Sequence, residues 1–306
     1  MRRDEMKLKE IAKNRRSYSD KIFDILNVLI MLILILVFAW PLLFVVSASF
    51  SDPNAVNAGQ VLLFPKGITT VGYELILAYK QLWVGYGNTI FYTVVGTCIN
   101  MIMSVCLAYP LSDKSFMPRK ILLAFFMFTM YFSGGLIPGY LLFKRLGILK
   151  TRLAMIVPGM VSVYNSLIIR SYFMNSIPKE LKEAAYLDGA NSAQYLVKVV
   201  LPLSKAVFAV VGLYYMVSHW NNFTNALYYV YDTSLYPLQN ILRDLLMSSR
   251  LTADLLENPE AYEIAYKQTL LMKYCVIIAA TVPMLCVYPF IQKYFVKGVM
   301  VGSVKG

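Results

Sequence analysis

Val28–Val46 reads VLIMLILILVFAWPLLFVV and carries no formal charge. It lies in a longer uncharged stretch that begins at Ile25. An α-helix needs about 20 apolar residues to cross the hydrocarbon core of a bilayer. The stretch is too long for the core of a signal peptide, which has about 7–15 apolar residues. It therefore predicts a membrane-spanning helix that follows a polar, uncleaved tail at residues 1–24.

The whole chain is unusually apolar. Of its 306 residues 58% are hydrophobic and 15% are charged, and the mean hydropathy is +0.57. Soluble domains are about 45–50% apolar and about 25% charged. The net charge is +12, and the basic residues cluster at the edges of apolar runs, which favours contact with anionic lipid over nucleic acid. The composition predicts an integral membrane protein with no nucleic-acid partner.

Five more charge-poor runs follow the first one. The six predicted spans are residues 25–48, 84–111, 121–143, 153–175, 203–229 and 270–292. Lipid offers no water to open backbone groups, so each run is expected to be helical. None of the runs alternates in the way that β-barrel strands do. The predicted fold class is an all-α integral membrane protein with six transmembrane helices.

Basic residues indicate how these spans are oriented. If the N-terminus is inside, the inner segments with their flanks, residues 1–24, 112–120, 170–205 and 293–306, hold 19 of the 29 Lys and Arg residues. Cytoplasmic loops carry such an excess, and the first helix usually dominates. The outer loop with Lys144, Arg145, Lys150 and Arg152 opposes the trend. The balance predicts an N-in, C-in protein with residues 1–24 as a cytoplasmic tail.

Two predicted outer loops are long enough to contact an external partner. Residues 52–80 are rich in turn formers, and residues 232–273 contain two amphipathic segments, Leu238–Ser248 and Thr252–Lys267. The alternative is that both loops only cap the helix bundle.

The predicted inner loop 178–202 has the strongest local signals. Lys179–Leu187 contains good helix formers, and Gly189 can adopt the left-handed conformation that ends a helix. Asn191 or Ser192 can cap a second helix. The pattern predicts two short helices joined by a sharp corner, a shape that fits a cleft on a soluble partner. An ordinary connection on the membrane surface is the alternative.

At this loop the chain resembles the inner-membrane components of binding-protein-dependent ABC importers. Their signature is Glu-Ala-Ala, three residues, Gly, nine residues, Ile, one residue and Leu-Pro. The matching positions are Glu183, Ala184, Ala185, Gly189, Leu201 and Pro202, and Val199 replaces the Ile. The resemblance implies a type I importer permease fold, in which this loop seats a coupling helix in an ATPase subunit.

Two other stretches narrow the resemblance. The tail Lys297–Gly306 is similar to that of the shorter permease subunit of maltose-type sugar importers. Tyr131–Pro138 is similar to a branch that handles complex oligosaccharides. The implied activity is passage of a carbohydrate, and more narrowly an oligosaccharide, through the cell membrane. The implied partners are a second related permease, a dimer of ATPase subunits that bind ATP and Mg²⁺, and an external solute-binding protein.

Several polar and aromatic residues within the predicted spans are candidates for the substrate path. Aromatic faces pack against sugar rings and amides bind hydroxyls, although Tyr and Trp also anchor helices at the membrane interface. The candidates are Tyr164, Asn165, Tyr214, Tyr215, Trp220, Asn221 and Asn222. Asn100 and Ser104, one turn apart, are expected to join helices by hydrogen bonds rather than to bind substrate.

The sequence provides no constellation typical of catalysis or metal binding. His219 is the single histidine and is expected to pack inside the bundle. The four cysteines are expected to be buried, reduced thiols that pack as small hydrophobes; they are Cys98, Cys106, Cys275 and Cys286. The chain has no Walker A pattern, so it is expected to bind no cofactor itself and to be a transport subunit rather than an enzyme.

Two other functions remain open at this point. An importer of the same architecture could carry a solute other than sugar, although the C-terminal tail favours sugar. An integral membrane enzyme that modifies glycans or lipids would need a carboxylate, histidine or metal cluster near the interface. The uncharged spans also disfavour proton-coupled transport, which usually needs ionisable groups within the membrane.

Overall fold

The computed structural model describes residues 18–251 and 259–303, and every regular element in this part of the chain is helical, as predicted. In chain order the α-helices are α1 (Tyr18–Ser49), α2 (Pro53–Asn57), α3 (Val71–Ala78), α4 (Lys80–Ser112), α5 (Arg119–Tyr131), α6 (Leu136–Arg145), α7 (Leu153–Ile156), α8 (Val163–Ser176), α9 (Glu180–Leu187), α10 (Ser192–Tyr195), α11 (Leu201–Leu203), α12 (Lys205–Trp220), α13 (Thr224–Tyr229), α14 (Leu238–Leu251) and α15 (Pro259–Ser303). A π-helical turn at Leu196–Val200 joins α10 to α11, and a 3₁₀ turn at Thr233–Leu235 precedes α14.

Three helical segments are long and apolar enough to cross a membrane: α1, α4 and the Thr269–Val287 part of α15. Two bent pairs also pass the same test of length and composition. The helices α5 and α6 meet at 112°, and the helical segment Ser192–Leu203 meets α12 at 81°. If each bent pair counts as one span, the described residues contain five candidate spans.

Three of the predicted spans contain breaks in their helices: residues 121–143, 153–175 and 203–229. Gly135 has a φ of +85° between α5 and α6, and Gly159 has a φ of +77° between α7 and α8. The third run bends at Ser204, near its start, and is interrupted again at residues 221–223, between α12 and α13. Non-helical backbone at membrane depth needs other partners for its polar groups. At the second break Asn100 Nδ2 donates to the carbonyl oxygens of Gly159 and Met160 at 2.9 and 3.0 Å.

Helix α4 lies at the centre of the bundle. Hydrogen bonds between polar side chains join it to α12. Asn100 Oδ1 lies 2.7 Å from Nε2 of His219, and the Ser104 and Tyr215 hydroxyls are 2.6 Å apart. His219 is 8% exposed, and Gly96 lies directly against its ring. The prediction that Asn100 and Ser104 join helices is confirmed, and so is the prediction that His219 packs inside the bundle.

The long predicted outer connection folds back onto α4. Asn88 Nδ2 donates to the carbonyl oxygens of Ser234 and Tyr236, and Thr89 Oγ1 accepts from the backbone N–H of Leu238 at 2.8 Å. The first predicted amphipathic segment forms α14. Residues 252–258 of the second segment lie outside the described residues, and from Pro259 onward this segment is part of α15 rather than a separate short helix.

Helix α1 stands apart from the bundle along its apolar length. No residue of its most apolar window is buried, although Phe44 meets the Tyr274 ring edge to face, and the buried residues are confined to its end at Ser47–Ser49. The Ser49 hydroxyl lies 2.9 Å from that of Tyr73, and Ser49 O accepts from Cys275 Sγ at 3.4 Å. An apolar surface of this size is stable against lipid or another membrane protein and not in water.

The cysteine prediction is correct only for Cys275, which is fully buried. Cys98, Cys106 and Cys286 are exposed, and all four thiols are free. The three exposed thiols lie on outward faces of apolar helices, where a thiol is tolerated as a small hydrophobe.

Candidate functional sites

The first helix of the predicted inner loop is α9, and a left-handed corner ends it. Gly189 has a φ of +79°. Its N–H donates to Tyr186 O at 3.1 Å, and the Ala190 N–H donates to Ala185 O at 2.9 Å. These two bonds form the Schellman motif, which satisfies carbonyls left open at a helix C-terminus. The sharp corner predicted at Gly189 is therefore present.

The chain turns from this corner into a second capped helix. Asn191 Oδ1 accepts from the Gln194 N–H at 2.8 Å, and Gln194 Oε1 accepts from the Asn191 N–H at 2.9 Å. This reciprocal capping box fixes the start of α10. The predicted loop end at Pro202 is displaced, because the chain stays helical through Leu203 and bends at Ser204.

The signature positions divide between the surface and the core. Glu183, Ala184, Gly189 and Pro202 are exposed, whereas Ala185, Val199 and Leu201 are half-buried. Ala185 and Val199 pack against a buried cluster that includes Phe173, Tyr195 and Val211. The loop therefore presents one face outward and fixes the other face to the bundle.

Leu187 is a prominent feature of this loop that the signature does not mark. It occupies the last position of α9 and is 89% exposed. An exposed apolar residue at this place, beside a fixed corner and away from the apolar core, is available to enter a groove on a partner. The helical pattern could have suggested it, since Leu187 falls on the face opposite the half-buried Ala185.

Two tyrosines secure the loop to the helix bundle. The Tyr109 hydroxyl, near the end of α4, donates to Ser192 O at 2.9 Å. Tyr195 is 5% exposed and contributes to the buried cluster. The second half of the loop is thus fixed, while α9 carries the exposed residues.

The seven candidates for the substrate path do not form one surface. Tyr215 and Trp220 are buried, and their polar atoms bond within this chain, to the Ser104 hydroxyl and to Ala280 O at 3.0 Å. Asn165 is buried and belongs to the first turn of α8. The other four have exposed or half-buried side chains: Tyr164, Tyr214, Asn221 and Asn222.

Cationic and aromatic side chains meet at the predicted outer side of the bundle. The Lys150 ammonium lies 5.5 Å from the ring centre of Tyr231, and the Arg152 guanidinium lies 5.0 Å from that of Phe91. The hydroxyls of Tyr231 and Tyr140 are 3.1 Å apart. These five residues are called the outer basic–aromatic surface below.

The backbone holds this surface in a defined shape. Lys150 has a φ of +63°, a left-handed conformation that L residues other than Gly, Asn and Asp rarely adopt. Its N–H donates to Tyr229 O at 2.9 Å, which ties the loop to the end of α13. Sequence patterns alone could not bring residues 150 and 231 together.

Within residues 18–251 and 259–303, no group of three or more His, Cys, Asp or Glu side chains is placed to hold a metal ion.

Comparison with known proteins agrees with the signature of the inner loop. Residues 11–301 match the family described as "Binding-protein-dependent transport system inner membrane component". The chain is 36% identical to protein LplC of Bacillus subtilis over 97% of this chain and 99% of the relative. It is 37% identical to the polygalacturonan/rhamnogalacturonan transport system permease protein YtcP of the same organism, over 94% and 99%.

The fold also matches a solved transporter. A chain of a bacterial ABC transporter involved in the import of the acidic polysaccharide alginate superposes with a TM-score of 0.80 at 34% identity. The match covers 92% of this chain and 99% of that one. This protein is therefore a membrane-embedded transport component rather than an enzyme, and it belongs to the family of inner membrane components of binding-protein-dependent transport systems.

Proposed function

We propose that this chain is one of two permease subunits of a carbohydrate importer, and that residues 178–202 dock on a separate ATPase. The helix–corner–helix at the signature spacing carries this proposal. It presents Glu183 and Leu187 outward on a helix whose far side is fixed to the bundle. A short helix of this kind fits a groove on a partner, with one apolar anchor and charged residues around it.

The proposed arrangement keeps the orientation that the basic residues favour. The chain has six spans and both termini inside, with residues 1–24 as a cytoplasmic tail and 25–306 as the permease domain. Helices α7 and α8 together, with the break between them, form the sixth membrane span. The other five are the candidate spans described above. The exposed apolar length of α1 supports contact with lipid and with a second permease subunit.

Energy enters from outside this chain in the proposed cycle. Two ATPase subunits bind ATP and Mg²⁺, and their closure moves the docked loops of the two permeases together. The path then opens toward an external binding protein that delivers the sugar. Hydrolysis and release return the path to its inward-facing state. Tyr164, Tyr214, Asn221 and Asn222 are the path candidates whose side chains remain accessible for sugar contacts.

The docking proposal is tested by two changes in the loop. Gly189→Val forces a β-branched residue into a left-handed conformation, which costs on the order of 1–2 kcal/mol. Glu183→Lys reverses an exposed charge on α9. Both variants should insert and pair with the companion permease, but they should lose ATPase co-purification or the ATP hydrolysis that the loaded binding protein stimulates.

A matched control separates docking from strain. Gly59 has a φ of +67° with open space around it, like Gly189, but it lies in the predicted outer loop. Gly59→Val should therefore retain ATPase binding. Normal uptake and normal ATPase binding by both loop variants would show that residues 178–202 are an ordinary cytoplasmic connection.

We further propose that the substrate is an oligosaccharide that bears carboxylates. The outer basic–aromatic surface supports this, because cations suit uronate groups and aromatic faces pack on sugar rings. The names of two similar proteins mention acidic polymers, polygalacturonan and alginate. The competing explanations are that these cations meet lipid headgroups or the binding protein.

The substrate class is tested by replacing Lys150 and Arg152 together with Gln. Uptake of oligogalacturonides by a complemented deletion strain should fall about fivefold, the effect of roughly 0.5 kcal/mol for each of the two exposed charge contacts. Uptake of a neutral oligosaccharide should not change. Lys114→Gln, at the predicted inner face, is the control. Equal loss for both sugars would point to binding-protein docking, and no loss would point to lipid contact; either result would refute the proposed acidic-sugar contact.

A further inference from the structure

A single ion pair joins α9 to the inner end of α4. Lys182 Nζ lies 2.6 Å from Oδ2 of Asp113, although the two residues are 69 positions apart. Asp113 is the C-cap residue of α4, and its N–H donates to Pro110 O. The pair therefore connects the helix that carries Glu183 and Leu187 to the central helix of the bundle.

The surroundings hold both charges in place. The two side chains are 31% and 33% exposed, and Asp113 Oδ1 also accepts from the Ser115 N–H and hydroxyl at 3.0 and 2.8 Å. Burial by itself would raise the pKa of Asp113, but the hydrogen bonds from Lys182 and Ser115 hold that pKa below its ordinary value. Burial would lower the pKa of Lys182, and the bond to Asp113 raises it instead. Both groups are charged at neutral pH.

A cavity lies behind this contact. Its volume is about 280 Å³, and both members of the pair line it. Phe173, Ile177 and Val200 form its apolar wall. The first turn of α9 is therefore separated from the apolar core at this place, and the ion pair bridges the inner ends of α9 and α4 beside the cavity. A gap of this kind leaves room for α9 to tilt, since a packed core would resist displacement.

The inner end of α4 is in turn connected to two other helices. Arg170 Nε of α8 donates to Leu111 O at 2.8 Å, two residues before Asp113. Further along α4, Ser104 and Asn100 bond to Tyr215 and to His219 of α12. A displacement of Asp113 therefore reaches α8 and α12 through direct bonds.

We propose that the Asp113–Lys182 pair is the connection through which α9 moves the inner end of α4. The inference rests on the proposed docking of residues 178–202 and assigns to the two residues a positioning role. ATPase closure displaces α9, the ion pair transmits the displacement to α4, and α4 passes it to the helices bonded to it. Without the pair, the first turn of α9 can tilt into the cavity without moving Asp113, while the loop stays bonded to α4 beyond the corner, through Tyr109 and Ser192.

The experiment uses the complete transporter with its companion permease, ATPase and binding protein, reconstituted in vesicles. Asp113→Asn, which lies outside the docking segment 178–202, should leave ATPase co-purification and basal ATP hydrolysis near wild type, and Lys182→Met is the second single variant. The amount of substrate imported per ATP should fall about tenfold, the scale set by one lost charge-assisted hydrogen bond. The double swap Asp113→Lys with Lys182→Asp should restore at least about half of the coupling.

Two controls exclude a general loss of folding. Lys182→Arg keeps the charge and reach, so it should couple nearly as the wild type does. Asp244→Asn removes an exposed pair, Arg243–Asp244 at 3.5 Å, and should have no effect. Normal import per ATP in both single variants would overturn the proposal, and so would a swap that couples as poorly as they do. Loss of ATPase co-purification in the single variants would instead show that the pair serves docking itself.

Discussion

Replacing Gly96 with alanine should disrupt the contact at the centre of the bundle. A Cβ at this position would lie 2.5 Å from Cε1 and Nε2 of His219, closer than real Cβ contacts allow. The ring is buried, and its Nε2 is held 2.7 Å from Oδ1 of Asn100. The imidazole therefore cannot move aside without losing that hydrogen bond.

Three contributions determine how much free energy of unfolding the Gly96→Ala variant loses. Overpacking a core costs about 1–3 kcal/mol. A lost hydrogen bond between membrane helices costs about 0.6 kcal/mol on average and up to about 1.7. The higher helix propensity of alanine offsets up to about 1 kcal/mol. The net loss is about 1–3 kcal/mol, which corresponds to a drop of about 2–5 °C in the unfolding midpoint of a chain of 306 residues.

The assay is thermal loss of the monodisperse peak of the purified permease in detergent, at one fixed heating rate. Gly87→Ala is the matched control, because Gly87 lies in the same helix and has open space where its Cβ would be. The Gly87→Ala variant should be as thermally stable as the wild type or slightly more stable. If Gly96→Ala were as stable as Gly87→Ala, the contact between α4 and α12 would not be the tight one described.

Two more predictions concern topology and packing. A cysteine placed at the exposed Asn57 should react with a membrane-impermeant reagent in intact cells, and one placed at Asn191 should not, because the basic residues favour an N-in orientation. Labelling at position 191 from outside would mean that the orientation is the opposite one. Tyr215→Phe removes the bond to Ser104, so it should lower thermal stability by about 1 kcal/mol. Uptake should persist, because the Asn100–His219 contact still joins α4 to α12. Lost uptake at unchanged stability would instead assign Tyr215 to the substrate path.

The inner loop could be predicted from sequence because its signals are local. The left-handed glycine at 189 and the cap at Asn191 act on the residues next to them, and both are present as expected. The long apolar helices α1 and α4 were predictable for a similar reason, since hydropathy alone decides them.

The breaks in the other spans depend on distant contacts. Gly135 and Gly159 were visible as glycines, but apolar composition favoured unbroken helices through both. Asn100 stabilises the second break. Its amide donates hydrogen bonds to two carbonyls about 60 positions away, in place of the backbone hydrogen bonds that a continuous helix would give them. No local pattern predicts that pairing.

The candidate substrate path stays a prediction, and the sequence could not show which of its residues bond within the chain. Tyr215 and Trp220 have the composition of sugar contacts, yet each bonds to a neighbouring helix, at Ser104 and Ala280. A polar aromatic residue in a membrane helix serves either role, and only its neighbours decide which. The outer basic–aromatic surface was missed as a unit because Lys150 and Tyr231 come from different loops.

The docking of α9 on an ATPase is tested most directly at Leu187, which is 89% exposed in this chain alone. A Leu187→Cys variant would be made after replacement of the native cysteines, which are Cys98, Cys106, Cys275 and Cys286. Maleimide labelling is then compared between the permease pair alone and the complete transporter, with Asn57→Cys as the control. Labelling at 187 should slow by about tenfold or more when the ATPase is bound, as for an anchor residue that leaves solvent at an interface core. Equal labelling rates at 187 in the two preparations would contradict the proposed docking.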